Sequence, residues 1–391
     1  MKGNQRVRIV MLLLITGVAM LAVFSKAASP EHPVRIGLSA NLSGELSQAG
    51  GMYLNGVRLF IADVNARGGI LGRKVELVVK DDGSQSDQAA RAYGELTVDG
   101  GADLLLGPAD ASLAPAVLPV LVRNDFPCVF PVTGSDSLWK GGTGVAFGVQ
   151  SPLSEWTAGF FEVVSRSGIA RVALLRVDLP EDGDLLRGSA KWARRYGLVP
   201  VWEASCAALD LPSEVSAIAR SKAEAVVVWG SPEGCAEAVS EIRRSRAKLR
   251  ALFMSTPRIP EGRGQPAGRE LDGVFTALPW EPRLAKSFPG GSLFVEAFRA
   301  AYGQDPDALA ASAFAGCQVL EAAAVKAQSL DRQKLRQTLA GLDTLTVLGR
   351  YGVDPAGMQL RQFPLTLQWQ KGRREIVWPE ELRTAKPVVA R

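Results

Sequence analysis

The sequence is poor in the side chains that catalysis and metal binding use most. Its 391 residues include a single histidine, His32, close to the amino terminus. Histidine is the usual general base near neutral pH and the commonest metal ligand. A buried carboxylate pair or a lysine could still act, but the scarcity of histidine argues against an enzyme. Neither a catalytic residue nor a cofactor or metal site is predicted.

Motifs for nucleotides, zinc and nucleic acids are missing as well. The four cysteines include no CxxC pair, so neither a zinc site nor a thioredoxin-type redox motif fits. The glycine-rich run 141–144 does not join a strand to a helix at the spacing of a phosphate-binding loop. A basic cluster at 243–250 lacks the interleaved aromatic side chains of single-strand binders. No nucleic-acid partner is predicted.

Residues 1–27 have the pattern of a cleaved signal peptide. Three basic residues precede the apolar stretch Ile9–Phe24, and small residues follow up to Ala27. An uncleaved membrane anchor is the alternative, but the apolar run is shorter than the roughly 20 residues that a bilayer requires. Because this segment carries four basic and no acidic residues, cleavage would lower the net charge from +5 to +1.

Export would place the four cysteines in an oxidising compartment. Cys206 follows a predicted strand of the second half of the chain, and Cys235 begins a helix of the same half. A disulfide between these two is one hypothesis, and two free thiols are the alternative. Cys128 and Cys317 are predicted to be buried free thiols.

The clearest local pattern is a strand–helix–strand unit in residues 34–80. Apolar residues from Val57 to Val64 recur at helical spacing. Gly68 and Gly69 end this helix, because glycine accepts the positive φ of a helix C-cap. A run rich in valine then predicts a strand at 74–80.

Alternation of strands and helices continues along the chain and predicts an α/β fold. Between 34 and 149 the strands are apolar on both faces, as in a parallel sheet covered by helices on both sides. A second array begins at 151 and ends in a strand pair at 364–377. Three helices are predicted to begin at serine caps, namely Ser86, Ser112 and Ser151, the last with Pro152 at the first helical position. The length exceeds what one core usually supports, so two domains are expected.

Several short motifs near the start of the chain form a specific combination. They are Leu42–Gly44, Asn55-Gly56, Asp63-Val64-Asn65, Gly68-Gly69-Ile70 with Gly72, and Asp81-Asp82 followed by Gln88-Ala89-Ala90. With them the chain resembles the leucine/isoleucine/valine-binding protein family, the type I periplasmic solute-binding proteins of ABC transporters. The alternation of elements extends the resemblance over nearly the whole chain after the signal peptide.

The resemblance implies two doubly wound, Rossmann-like lobes with parallel-type sheets, joined by three hinge crossings. The crossings would fall near 147–151, 275–279 and 353–360. Lobe I would then comprise 34–149 and 277–353, and lobe II would comprise 150–276 and 354–391. Three parallel linkers restrict the lobes to a hinge motion, because a torsion in one linker must be matched in the other two.

The resemblance also implies a function without enzymatic activity. It is that of the periplasmic substrate-binding component of an ABC importer, which captures a small amino acid or related organic solute by closure of two lobes. The expected partner is an ABC permease in the inner membrane. An exported protein that presents a bound solute to a membrane receptor is the alternative, and an exported enzyme is a third possibility.

A ligand should lie beyond the carboxyl ends of the strands, where helix N-termini present N–H groups. In the resembled family a serine of the loop 107–112 holds the ligand's α-carboxylate, and a threonine of the loop 131–134 accepts from its α-amino group. Here Ala111 aligns with that serine and Ser112 follows it, and Gly134 aligns with the threonine and Thr133 precedes it. Ser112 as a simple helix cap and Thr133 as a turn residue are the alternatives.

The second lobe is expected to recognise the variable part of the ligand. Glu181 lies where the family commonly has an aromatic residue, and Trp229 either stacks on the ligand or lies in the core. The segment 255–258 lacks the acidic residue with which the family's amino-acid binders pair the ammonium group, so an amide or another small organic acid is also a candidate ligand. The predicted ligand-binding residues are Ala111, Ser112, Val132, Thr133, Gly134, Glu181, Trp229 and Ser231.

Overall fold

Strands and helices alternate along the described part of the chain. The structure, a computed structural model, describes residues 32–44, 47–98, 101–132, 136–179, 183–245, 247–255 and 271–390. The signal-peptide prediction for 1–27 lies outside these ranges. All elements below belong to one unit that begins at Val34.

Two sheets and one hairpin account for the strands. The strands are β1 (Val34–Ala40), β2 (Val75–Asp81), β3 (Leu104–Leu106), β4 (Cys128–Phe130), β5 (Ala146–Gly148), β6 (Arg171–Val177), β7 (Val199–Cys206), β8 (Ala225–Gly230), β9 (Ala251–Met254), β10 (Val274–Leu278), β11 (Thr344–Thr346), β12 (Gly349–Tyr351), β13 (Leu365–Gln370) and β14 (Arg373–Trp378). The first sheet has the order β2-β1-β3-β4-β5 and is parallel. The second has the order β14-β13-β10-β9-β8-β6-β7, in which β13 pairs antiparallel with both β10 and β14 and all other pairs are parallel. The fold is therefore α/β with two doubly wound sheets, as predicted.

Helices connect the parallel strands and cover both sheets. They are α1 (Ser47–Ala66), α2 (Ser86–Thr97), α3 (Ala114–Arg123), α4 (Ala158–Arg166), α5 (Gly183–Arg195), α6 (Leu211–Arg220), α7 (Pro232–Arg244), α8 (Gly291–Tyr302), α9 (Ala308–Ala327) and α10 (Arg332–Ala340). Of these, α8 to α10 lie in the chain between β10 and β13 of the second sheet but pack in the core of the first sheet with α1. The first lobe is thus built from two separate parts of the sequence.

The helices α1 and α9 are in close contact because both present small residues at their crossing. A Cβ atom on Gly56 would lie 2.2 Å from the carbonyl oxygen of Ala310, so a glycine is required there. Beside this contact, the rings of Phe60 and Phe314 meet edge to face, with centroids 5.6 Å apart. Although α9 is long and apolar enough to cross a membrane, two thirds of its apolar window is buried in this core.

Both faces of the second sheet are covered by apolar clusters. On one face the ring of Phe160 in α4 packs against Phe253 of β9 and Phe275 of β10, with centroids 5.4 and 5.3 Å apart. On the other face α6 and α7 contribute Val215 and Val239, among other residues. Alternate residues of each strand serve the two faces, which explains why the strands are apolar throughout.

The three predicted serine caps are wrong in detail. The helix α2 starts at Ser86 itself, and the capping position is Gln85. Residues 111–113 form a short 3-10 helix whose cap is Asp110, and α3 begins only at Ala114. The helix predicted from Ser151 starts later, at Ala158 (α4), and a separate 3-10 helix, Leu153–Glu155, precedes it; the Ser151 N–H is bound to the side chain of a distant glutamine, Gln362.

All four cysteines are free thiols, so the disulfide hypothesis for Cys206 and Cys235 is wrong. Cys206 ends the edge strand β7, whereas the Cys235 Sγ atom lies 3.7 Å from the Ser255 hydroxyl beyond β9. The Cys235 Sγ atom also lies beside Gly230 at the end of β8, and β6 separates β8 from β7 in the sheet.

The chain passes between the two sheets three times. It leaves the first sheet after β5 at Gly148, leaves the second after β10 at Leu278, and returns after the β11–β12 hairpin to β13. These passages agree with the predicted hinge crossings. The hairpin and β5 were not predicted, because each strand has only three residues and little alternation in the sequence.

Candidate functional site

An ion pair joins the segment after β4 to the start of α5. The Nζ atom of Lys140, between β4 and β5, lies 2.7 and 2.9 Å from the two carboxylate oxygens of Asp184 in the first turn of α5. Both residues follow the carboxyl end of a strand, one in each sheet. The carboxyl edges of the two sheets therefore face each other across a cleft, which is where α/β folds bind ligands.

The carboxylate of Asp184 is nearly buried, with 9% of its side chain exposed. Burial raises the pKa of Asp184, but hydrogen bonds from Lys140 and Arg187 outweigh burial, so the pKa lies below its usual value. Asp136, in the same segment as Lys140, faces Ser154 of the second half: burial raises the pKa of Asp136, and hydrogen bonds from Ser154 oppose that rise. Two contacts thus link the halves on this side.

The side chain of Asp110 accepts hydrogen bonds within the loop that follows β3. Its Oδ1 atom accepts a hydrogen bond from the Ser112 N–H at 2.9 Å, and its Oδ2 atom accepts one from the Ser112 hydroxyl at 2.7 Å. Ser112 is exposed, and Ala111 before it is half-buried. Both donors of Ser112 are therefore engaged by a carboxylate of the chain itself. The pattern of an aspartate two residues before a serine is a known turn signal and could have revealed this role.

The loop after β2 is organised around two further carboxylates. Asp82 is fully buried and accepts bonds from the Ser39 hydroxyl at 2.6 Å, the Asn41 side-chain amide at 3.1 Å and the Ser84 N–H at 3.1 Å. Burial raises the pKa of Asp82, partly opposed by Ser39 and Ser84. Asp81 accepts from the N–H groups of Gly83, Leu42 and Ser43 and from the Ser43 hydroxyl, and these bonds lower the pKa of Asp81. The motifs around Leu42–Gly44 and Asp81-Asp82 are therefore two halves of one bonded structure.

Most predicted second-lobe residues have structural partners. Trp229 is 2% exposed, its ring packs on Phe253, and its Nε1 donates to the Ser189 hydroxyl at 2.9 Å. This places it in the core, one of the two alternatives that the sequence left open.

Ser231 caps α7, where its hydroxyl accepts from the Gly234 N–H at 3.0 Å. In the first lobe, Val132 is half-buried just after β4. Thr133, Gly134 and Glu181 lie outside the described residues.

Two buried glutamines connect the three crossings. Gln362, on the third crossing, accepts from the Ser151 N–H on the first at 2.8 Å and donates to the Pro279 carbonyl on the second at 3.0 Å. Gln359 donates to the Val149 carbonyl at 3.0 Å and thus ties the third crossing to the first again. Because these partners are far apart in the sequence, no local pattern could have identified the two glutamines.

Two cavities of about 550 and 560 Å³ lie away from the cleft. One is at the opposite edge of the second sheet, beside Arg250, Asp272 and Trp369. The other is beside the second and third crossings, between Phe288 and Phe363. Among the described residues, no group of three histidine, cysteine, aspartate or glutamate side chains could hold a metal ion. The cleft is therefore identified by fold topology and by its facing loops, and not by cavity volume.

The family model and the related proteins that match this chain indicate the same protein family. Residues 33–373 match the family model described as "Periplasmic binding protein". The Leucine-, isoleucine-, valine-, threonine-, and alanine-binding protein of Pseudomonas aeruginosa is 24% identical, over 95% of this chain and 97% of its own. The Leu/Ile/Val-binding protein BraC3 of Rhizobium johnstonii is 34% identical over only 123 residues, which are 32% of this chain and 33% of that protein.

Among solved structures, the substrate-binding protein LivJ of the branched-chain amino acid transporter of Streptococcus pneumoniae, in complex with isoleucine, is similar to the chain. It aligns with a TM-score of 0.70 and 21% identity, over 88% of this chain and 97% of that one. This level of identity supports the fold, with its two lobes and three crossings.

Proposed function

The chain belongs to the periplasmic binding protein family, and we propose that it is the periplasmic substrate-binding component of an ABC importer. Lobe I is taken to comprise 34–149 and 277–353, and lobe II 150–276 and 354–391. A small organic solute binds between the lobes and is delivered to a permease in the inner membrane. The segment 1–27 serves as the export signal.

The observation that carries this proposal is the pair of facing carboxyl edges. The Lys140–Asp184 ion pair joins the two edges, while three crossings connect the lobes on the side of Gln362. A ligand that contacts both edges stabilises the closed arrangement, because it binds the closed form better than the open form. No covalent chemistry is needed for such a function.

The ligand is proposed to be a small amino acid, an amide or a related organic solute. The relatives named for branched-chain amino acids support this size and class. On the first-lobe side, the loops with Ala111, Ser112, Val132, Thr133 and Gly134 would contact the ligand. On the second-lobe side, Glu181 and Ser231, which follow β6 and β8 in the sequence, would contact the ligand, and Trp229 at the end of β8 lies in the core.

A ligand panel tests the proposal directly. Purified protein without its signal peptide is screened by thermal shift with amino acids, their amides, amines and aromatic acids. A ligand present at 100 times its dissociation constant should add about 2.7 kcal/mol to the free energy of unfolding. Small-angle scattering should then give a smaller radius of gyration for the complex than for the free protein. A verified ligand that leaves the radius unchanged would argue against lobe closure.

A further inference from the structure

The cavity beside the second and third crossings has walls from both halves of the molecule. Leu345 and Leu348 of the β11–β12 hairpin line it on the first-lobe side, and Leu365 of β13 lines it on the second-lobe side. Phe288 packs on the apolar cluster that contains Leu365, and its ring would lie 3.3 Å from a Cβ atom on Gly349 of the hairpin. A molecule in this crossing cavity would therefore contact both lobes at the same time.

The lining of the crossing cavity is mostly apolar, and part of it is open to solvent. Leu345 and Phe363, both on its wall, are 57% and 44% exposed. Large apolar side chains that are exposed at one place mark an interaction site. The cavity volume of about 560 Å³ lies in the range that small organic molecules occupy in proteins. The size therefore indicates a small molecule as the occupant.

The crossing cavity also borders the hydrogen bonds that join the crossings. Gln362 lines it, and the same side chain accepts from the Ser151 N–H and donates to the Pro279 carbonyl. An occupant of the cavity would thus lie against the residue that ties all three crossings together.

The charge at the crossing cavity is positive. Among the described residues that line it, the charged ones are two arginines, Arg350 and Arg361. Arg350 donates to the two carboxylate oxygens of Asp343 at 2.7 and 2.6 Å, which uses two of its five N–H donors. These hydrogen bonds, and then the charges of Arg350, Arg361 and Lys326, lower the pKa of Asp343. Three cations thus lie near one carboxylate, which leaves an excess of positive charge.

We infer that the crossing cavity is a second ligand site, separate from the cleft, and that it binds a small amphipathic anion, a carboxylate with an apolar chain. The chain lies against Leu345, Leu348 and Phe288. The carboxylate accepts N–H bonds from Arg361 and from the remaining donors of Arg350, because the guanidinium group matches a carboxylate in shape and charge.

An anion in the crossing cavity should also favour the closed form. It contacts both lobes in the arrangement in which Lys140 and Asp184 are paired across the cleft. A ligand that binds one arrangement better shifts the population towards it, and it then raises the affinity of any other ligand that prefers the same arrangement. This coupling rests on the proposed function of the cleft, whereas binding of the anion in the cavity does not.

The test uses decanoate as the probe, below its micellar concentration, with purified protein that lacks the signal peptide. Decylamine has an alkyl chain of ten carbons but the opposite charge, and acetate has the carboxylate without the chain. Titration calorimetry should show that decanoate binds roughly tenfold or more tightly than either compound. A decylamine affinity equal to that of decanoate would refute the role of the arginines.

Two variants with matched controls locate the bound decanoate. Leu345→Asp places a negative charge on the exposed wall, and Arg361→Gln removes a positive one; each should weaken decanoate binding roughly tenfold. Leu209→Asp changes a leucine that is 94% exposed after β7, and Arg220→Gln changes the last residue of α6. Both controls should leave the affinity unchanged. Melting temperatures confirm that the variants are folded.

The failures of this site and of the proposed function are distinguishable. If decanoate does not bind, or if it binds all four variants as it binds the wild type, the second site is refuted, whatever solute the cleft takes. If decanoate binds as described while no solute binds in the cleft, the second site stands and the proposed function fails. With a cleft ligand identified, decanoate should lower the dissociation constant of that ligand for the wild type but not for Leu345→Asp, and an unchanged constant for the wild type would refute the coupling.

Discussion

Lys140 and Asp184 form an ion pair between the two halves of the molecule. The lysine lies in the segment between β4 and β5, and the aspartate lies in the first turn of α5. The lysine side chain is 60% exposed and the aspartate side chain only 9% exposed. Such a contact across a cleft exists only when the lobes are close together, so it contributes to the closed form and not to either lobe alone.

Lys140→Met should therefore shift the ligand-free protein towards an open form. A half-exposed ion pair contributes up to about 1 kcal/mol, which corresponds to a roughly fivefold change in population. The radius of gyration of the free protein should rise, and ligand affinity should fall by at most about the same factor. Lys191→Met is the matched control, because Lys191 pairs with Glu155 within the second lobe at 2.9 Å. Equal changes in both variants would contradict a role in closure.

Gln362→Leu should destabilise the crossings. The substitution removes three hydrogen bonds and leaves the buried Pro279 carbonyl without this donor. A buried polar group that loses its partner costs about 1 to 3 kcal/mol, so a loss of about 3 kcal/mol is expected in urea unfolding. Gln304→Leu changes an exposed glutamine and should cost less than about 0.5 kcal/mol. A stability equal to the wild type would mean that the crossings do not depend on Gln362.

Two glycines of α1 should respond in opposite directions to alanine. At Gly56 the added Cβ meets the Ala310 carbonyl oxygen at 2.2 Å, so α1 and α9 must separate. Overpacking of this kind costs about 1 to 3 kcal/mol or more. At Gly51 no atom lies within 4 Å of the added Cβ, and alanine should stabilise the helix by about 0.5 to 1 kcal/mol. Thermal unfolding of Gly56→Ala and Gly51→Ala measures both changes in stability. If both variants were stabilised, or both destabilised, the close crossing of α1 and α9 would be contradicted.

Cys206 should react slowly with alkylating reagents at neutral pH. Burial, and then the carboxylates of Glu214, Asp210 and Asp178, raise the pKa of Cys206 to about 11. Since the thiolate is the nucleophile, the rate with iodoacetamide should rise about tenfold per pH unit between pH 7 and 10. Glu214→Gln should lower this pKa and speed the reaction at pH 8, whereas Glu237→Gln on the exposed side of α7 should not. If Cys206 does not react at all, and if the protein is 2 Da lighter than expected until it is reduced, a disulfide is present after all.

The alternation of elements was predictable because it depends on local apolar periodicity. The strand predicted at 74–80 and the strand pair predicted at 364–377 agree with β2 and with β13 and β14 to within one residue at their outer ends. Helix starts were less predictable, since the cap at Asp110 competes with the serine two residues later. The resemblance points to a serine in this loop and not to Asp110. The Asp-Ala-Ser spacing itself, however, predicts that Asp110 is the cap.

The hinge and the short strands needed information that a single sequence does not contain. Gln362 and Ser151 are far apart in the chain, and only the tertiary structure makes one the partner of the other. The hairpin of β11 and β12 depends on a tight turn that ends at Gly349, with φ of +114°. Its strands are too short to show an alternation.

The position of α9 has a consequence for the order in which the molecule can be assembled. The strands of the first sheet are complete at Gly148, but α8 to α10, which cover one of its apolar faces, begin only at Gly291. As the chain emerges from the ribosome, the second sheet therefore appears in full up to β10 before the first lobe can bury that face. Contacts between such distant parts of a sequence slow folding and leave apolar surface exposed in intermediates. A nascent chain that ends before Ala308 would contain all five strands of the first sheet but neither α9 nor α10 to cover that face, and would depend on chaperones to remain soluble.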